Sequence, residues 1–162
     1  MALIRLLQRR PDGGIVFRET TNSDVPAYAI LSHTWGEEEV IFQDMKGGVD
    51  MSKAASKAGW KKIQFCARQA AADGLQYFWI DTCCINKENA VELSAAINSM
   101  FRWYQNAARC YVYLPDVSKA DSMDDESAWK EALRKSRWFT RGWTLQELIA
   151  PKLVDFFSSE GA

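Results

Sequence analysis

The feature that most constrains this chain is an alternation. Short apolar runs, each the length of one strand, are separated by longer segments whose apolar residues recur every three or four positions. Residues 25–32, 77–81, 109–114 and 153–157 read as strands. Residues 53–73 read as a helix with Trp60, Ile63, Ala67, Ala70 and Ala71 in phase, ended by Gly74. Residues 89–105 read as a second, with Leu93, Ile97, Met100, Phe101 and Tyr104 on one face. Asn89 can cap it, with Glu92 three residues on as in a capping box. Shorter helices are predicted at 127–135 and 142–149, the latter ended by Pro151. Strands separated by helices predict an α/β fold: a parallel sheet of four or five strands, helices on both faces, strand 25–32 central. Residues 1–24 read as an N-terminal extension with a PDGG turn and a short strand at 15–18. The length suits a single domain over 1–162. No helix is predicted after the last strand, so a domain cut from a longer polypeptide is expected.

Composition removes several classes of function. Apolar residues make up 48% of the chain, which argues against disorder. Twenty Lys and Arg nearly balance twenty-one Asp and Glu, and no basic tract marks nucleic acid or an anionic membrane as partner. The apolar runs are too short to span a bilayer, and the N-terminus has no secretory pattern. The four cysteines read as reduced thiols in a cytoplasmic protein. There is no G-x-G-x-x-G and no P-loop, so no dinucleotide or nucleotide cofactor of the usual kind is expected. One histidine and scattered cysteines are poor zinc spacing, and no metal is expected.

In a doubly wound parallel sheet the site lies beyond the carboxyl ends of the strands. Ser32, His33, Thr34 and Trp35 leave one such end, and Asp81, Thr82, Cys83 and Cys84 leave another. Both clusters are predicted to face one crevice, with Ser32, His33, Asp81 and Cys83 or Cys84 lining it. His33 suits a general base, or a histidine that fixes its loop by bonding backbone. Asp81 suits an acceptor for ribose hydroxyls or an orienter of His33; the competing reading is an Asx-type cap. Read as an extended pair, Cys83 and Cys84 point to opposite sides, and structural burial is the simpler account. Trp35 and Trp143 sit beside Gly and polar residues and suit a pocket wall. Glu147 fits a capping box with Thr144. Arg141 reads as a solvated arginine at a helix start.

Three stretches, "AILSHTWG", "FWIDTCCIN" and "RGWTLQELIAP", stand in an order and spacing that closely resemble the heterokaryon incompatibility (HET) domain of filamentous fungi. The resemblance covers nearly the whole chain. The opening "LLQRRPDGGIVF" looks like the start of family members in which this domain precedes a nucleotide-binding oligomerisation module and a repeat sensor. Those modules would be partners in the same chain. The resemblance implies a cell-death effector in fungal non-self recognition, a form of innate immunity. HET domains are in turn distantly similar to TIR domains, which have a flavodoxin-like sheet and some of which hydrolyse NAD. That likeness places a catalytic glutamate at Glu147, four residues after Trp143, and a serine-containing segment at Ser32.

The implied chemistry is coherent. Cleaving a nicotinamide–ribose bond passes through an oxocarbenium-like state, which one carboxylate near the ribose can stabilise. Trp35 or Trp143 can stack on a base. NAD would be substrate, not cofactor. Three functions compete. The first is an NAD-hydrolysing effector active when self-associated. The second is a non-enzymatic module that self-associates and recruits a partner. The third, a cysteine hydrolase using Cys83 or Cys84 with His33, lacks an orienting third residue.

Overall fold

The computed structural model describes residues 4–21, 24–45, 52–117, 126–140 and 150–159. Six strands form one mixed sheet: β1 (Ile4–Arg9), β2 (Ile15–Thr20), β3 (Tyr28–His33), β4 (Tyr77–Trp79), β5 (Arg109–Tyr113) and β6 (Val154–Phe157). They lie in the order β2-β1-β4-β3-β5-β6. β4, β3, β5 and β6 run parallel, as the alternation of elements predicts. The expectation of a wholly parallel sheet of four or five strands is corrected at one edge. β1 and β2 form an antiparallel hairpin, and β1 pairs antiparallel with β4.

The segment read as an extension therefore belongs to the sheet. One side chain anchors it. Arg5 on β1 donates to Glu92 (2.6 Å), to Glu19 (3.1 Å) and to the Cys84 carbonyl (3.0 Å). Its guanidinium lies 4.5 Å from the Phe42 ring centroid. A guanidinium buried on this scale is tolerable because its donors are matched.

β3 is buried along its whole length, as befits a strand paired on both edges and covered on both faces. Its side chains alternate between two layers. On one face α3 (Trp60–Ala72) packs Phe65 against Tyr113 and Phe157 at 5.2 and 5.0 Å. On the other, α5 (Ala90–Asn106) packs Trp103 against Trp79 at 5.5 Å, and the Tyr28 hydroxyl donates to the Trp103 carbonyl. Asn89 caps α5 by accepting from the Val91 and Glu92 N–H groups. The reciprocal half of the capping box does not form. Glu92 accepts from Asn86 N–H and Arg5 instead.

The helix predicted over 53–73 is split into α2 (Ser52–Ala55) and α3. Gly59 lies between them, and its N–H donates to the Glu38 carbonyl at 2.8 Å. A Cβ at Gly59 would sit 2.8 Å from that carbonyl oxygen and 2.9 Å from Glu39 Cα. The glycine is there for close approach of backbone to backbone. α3 ends at Gly74, which adopts a φ of 77°. Three further helices complete the described chain: α1 (Phe42–Met45), α4 (Asp81–Cys84) and α6 (Glu126–Lys135). A 3-10 turn, Arg137–Thr140, follows α6. Among the described residues no helix is long and apolar enough to cross a membrane.

Candidate functional site

β3 and β4 are neighbours, and their carboxyl ends bring His33 and Asp81 together. His33 Nε2 lies 2.9 Å from Asp81 Oδ1. The second oxygen, Oδ2, accepts from the Trp35 indole N–H, also at 2.9 Å. One carboxylate thus holds both residues that leave β3. It does so because β4 turns at once into α4, which presents Asp81 sideways toward β3. The carboxylate makes no cap to its own backbone among its described bonds, so the orienting reading of Asp81 fits the geometry.

The other edge of His33 meets a lysine. Lys62, on α3, places Nζ 3.0 Å from His33 Nδ1 and 3.0 Å from the Thr34 carbonyl oxygen. It also makes a short ion pair with Glu39 Oε1, which in turn accepts from Gly36 N–H at 2.8 Å. An ammonium only donates. His33 Nδ1 therefore accepts, and the ring proton is assigned to Nε2, facing Asp81. His33 is 1% exposed, with both nitrogens bonded inside the protein. Neither bond goes to loop backbone. The Thr34 hydroxyl is buried beside this cluster and has no hydrogen-bond partner among the described residues.

These contacts set the charges. Burial pushes the Asp81 carboxyl up, but its hydrogen bonds to His33 and Trp35 and the charge of Lys87 outweigh that and hold it at about 2. Burial likewise raises Glu39, and Lys62 and the Gly36 N–H together bring it below the ordinary carboxylate range. Lys62 is lowered by burial, incompletely offset by Glu39 and Asp81.

At the surface the site is an aromatic plate with a cation over it. Trp35 is 42% exposed, and Lys87 Nζ stands 3.9 Å from its ring centroid. Lys87 is tied down by donating to the Asp81 carbonyl at 2.8 Å. Such a plate can offer stacking to a planar ring and a positive charge to an anion beside it.

The remaining predicted residues divide. Ser32 and His33 are adjacent on β3, so they point to opposite faces of the sheet. Ser32 is fully buried on the α5 face, where its Oγ accepts from the Trp138 indole N–H at 2.6 Å. It does not share a crevice with His33. Cys83 and Cys84 form part of a helical turn, not an extended pair, and both are buried in the core. Hydrogen bonding to Cys84 and burial push the Cys83 thiol well up, the reverse of what a nucleophilic thiolate needs. Arg141, Trp143 and Glu147 lie outside the described residues, as does the helix predicted over 142–149.

Sequence reasoning missed Lys62, Glu39 and Lys87. One signal was present for Lys62. It lies four residues before Cys66 and eight before Ala70, a ridge of α3 that turns out to be buried. A lysine in phase with a core-facing ridge asks for an acidic partner.

Over 164 aligned residues the chain is 57% identical to the vegetative incompatibility protein HET-E-1 of Podospora anserina. The alignment covers 98% of this chain and 12% of that protein, so the chain spans about an eighth of its relative's length. No solved structure matches the chain. The model of the heterokaryon incompatibility protein (HET) family matches residues 28–126, more than half of the chain and both strand ends that meet at His33 and Asp81; the chain belongs to the HET family.

Proposed function

We propose that this chain is the effector domain of a heterokaryon incompatibility response, and that it kills by hydrolysing NAD when clustered. The observation that carries the reading is the junction of His33, Asp81, Trp35 and Lys87 at the carboxyl ends of β3 and β4. In this reading the exposed Trp35 ring stacks on a base of the dinucleotide, Lys87 meets its pyrophosphate, and the Asp81 carboxylate accepts from ribose hydroxyls. The bond between nicotinamide nitrogen and ribose C1′ breaks, its electron pair leaves with neutral nicotinamide, and water adds to C1′ with loss of a proton. Glu147 would stabilise the cationic sugar, with Trp143 beside it; both assignments rest on the W-x-x-x-E resemblance. Clustering would be driven by nucleotide-binding and repeat modules of the full protein, in the cytoplasm.

A second reading is a non-enzymatic, TIR-like module that self-associates and recruits a partner. It is favoured by the closure of His33, which has no ring nitrogen left for a substrate. One experiment separates the two. Purified protein at high concentration is incubated with NAD, and nicotinamide release is followed for the wild type and for Glu147→Gln. Gln preserves a capping bond but not a negative charge. Under the enzymatic reading the variant keeps its melting temperature and loses both turnover and cell killing by orders of magnitude. A folded Glu147→Gln protein with full killing ends the enzymatic reading and leaves the recruiting module.

A further inference from the structure

α5 turns only part of its apolar surface toward the sheet. Ala96, Trp103 and Tyr104 are buried. Ile97 and Phe101, which periodicity places on the same face as Tyr104, are 44% and 46% exposed, and Val91 is 81% exposed. Only three other large apolar residues among those described are exposed: Trp35, Ile41 and Leu153. Half of the exposed large apolar residues therefore belong to one helix. They are also ordered along it. Ala90, Ser94, Ile97 and Phe101 follow at spacings of four, three and four, the step of a helix seam, with Val91 alongside.

We infer that this face of α5 is an interface for a second copy of the same chain, with the two α5 helices packed antiparallel about a two-fold axis between Ala95 and Ala96. Side-chain size selects that orientation. About this axis Phe101 meets Ala90 and its neighbour Val91 of the partner helix, and Ile97 meets Ser94. Each large residue faces a small one, and the symmetry repeats the fit. Parallel packing would set Phe101 on Phe101 and Ser94 on Ser94, crowding one end and leaving the middle unfilled. Charge selects the same orientation. Glu88 precedes the helix and Arg102 lies near its end, both are exposed, and neither forms an ion pair among the described residues. Antiparallel packing brings Glu88 of each copy to Arg102 of the other, whereas parallel packing brings like charges together. The opposed helix dipoles add to this.

One helix face is a small surface, and stable complexes usually bury about 1,200 Å² or more. The contact is therefore weak in isolation and becomes significant when copies are held close together. This gives a surface for the clustering in the function proposed above, on which its biological meaning rests; the association itself is independent of NAD.

The test is sedimentation equilibrium of the 162-residue chain without NAD, from about 1 µM to about 1 mM. The wild type is expected to dimerise with concentration. Phe101→Asp and Ile97→Asp, at exposed positions, should keep the melting temperature and weaken the dimer by about tenfold or more. Glu88→Arg and Arg102→Glu should each weaken it, and the double reversal should restore it. A chain that stays monomeric throughout overturns the inference. So does association indifferent to Phe101→Asp, or a double reversal that restores nothing. If Phe101→Asp lowers the melting temperature of the monomer instead, the face is covered by its own chain and the inference fails. A wild-type chain that dimerises but releases no nicotinamide from NAD keeps this interface and ends only the enzymatic reading, so the two readings fail separately.

Discussion

His33 and Asp81, forty-eight positions apart in sequence, meet at 2.9 Å because β3 runs on to His33 while its parallel neighbour β4 ends at Trp79, opposite Ile30, and turns into α4 at Asp81. The bond has a fixed direction. Lys62 donates to Nδ1, so the histidine can only donate from Nε2, and Asp81 receives it together with the Trp35 indole N–H.

Asp81→Asn tests that direction. An amide can accept from one of the two N–H groups, but its NH₂ then faces the other. His33 cannot switch tautomer to relieve this, because a proton on Nδ1 would face the Lys62 ammonium. A loss of about 1–3 kcal/mol is expected at neutral pH, read as a lower melting temperature. The effect should shrink in acid. The folded carboxyl sits at about 2 against an ordinary 3.8, a depressed value. Its stabilisation is complete above the unfolded value and is lost as pH falls through the folded one. The difference in melting temperature between wild type and variant should therefore close between about pH 4 and pH 2. A constant difference across that window would show that Asp81 is not held low.

Lys62 and Glu39 should be strongly coupled. Lys62→Met leaves a buried carboxylate without its cation, and a loss of about 3–5 kcal/mol is expected. The Glu39→Gln change alone leaves the buried ammonium without its paired negative charge. The double variant Lys62→Met with Glu39→Gln should be more stable than the two single losses predict, because neither charge is then left alone. Urea unfolding of the four proteins measures the coupling, and simple additivity would disprove a direct buried pair.

Gly59→Ala tests the loop that delivers Glu39. The new Cβ would meet backbone atoms of Glu38 and Glu39 at under 3 Å, and neither can swing away as a side chain could. The loop has to shift, and about 1–3 kcal/mol is expected to be lost. Because the shift also moves Glu39 from Lys62, a Lys62→Met change should cost less in the Gly59→Ala background. Full stability in the alanine variant would mean that the loop does not sit against α3.

Arg5→Met asks whether the N-terminal hairpin is part of the domain. Methionine keeps the apolar contact with Phe42 but removes the donor to the Cys84 carbonyl and the cation paired with Glu92, which keeps only the Asn86 N–H. A loss of about 2–4 kcal/mol is expected. Unfolding should remain one cooperative transition, since the hairpin pairs with β4. A separate early transition for the hairpin would show that it is an appendage.

Periodicity determined the elements. The apolar runs became β3 to β6 close to the positions expected, and the Asn89 cap formed, because these depend on residues near one another in the chain. The motifs around His33, Asp81 and Glu147 carried the family. What the sequence left open was decided by partners distant in the chain. Residues 4–9 look like a short apolar scrap until β4 supplies an edge to pair with. Gly59 reads as one more glycine in a helix until Glu38 lies against it. Ser32 and His33 look like one cluster in a string of letters, yet the pleat sends them to opposite layers, one to Trp138 and the other to Lys62 and Asp81. Hydrophobic pattern reports which side chains avoid water; it does not report which two strands become neighbours, and only that adjacency could put a lysine and an aspartate on the two nitrogens of one buried histidine.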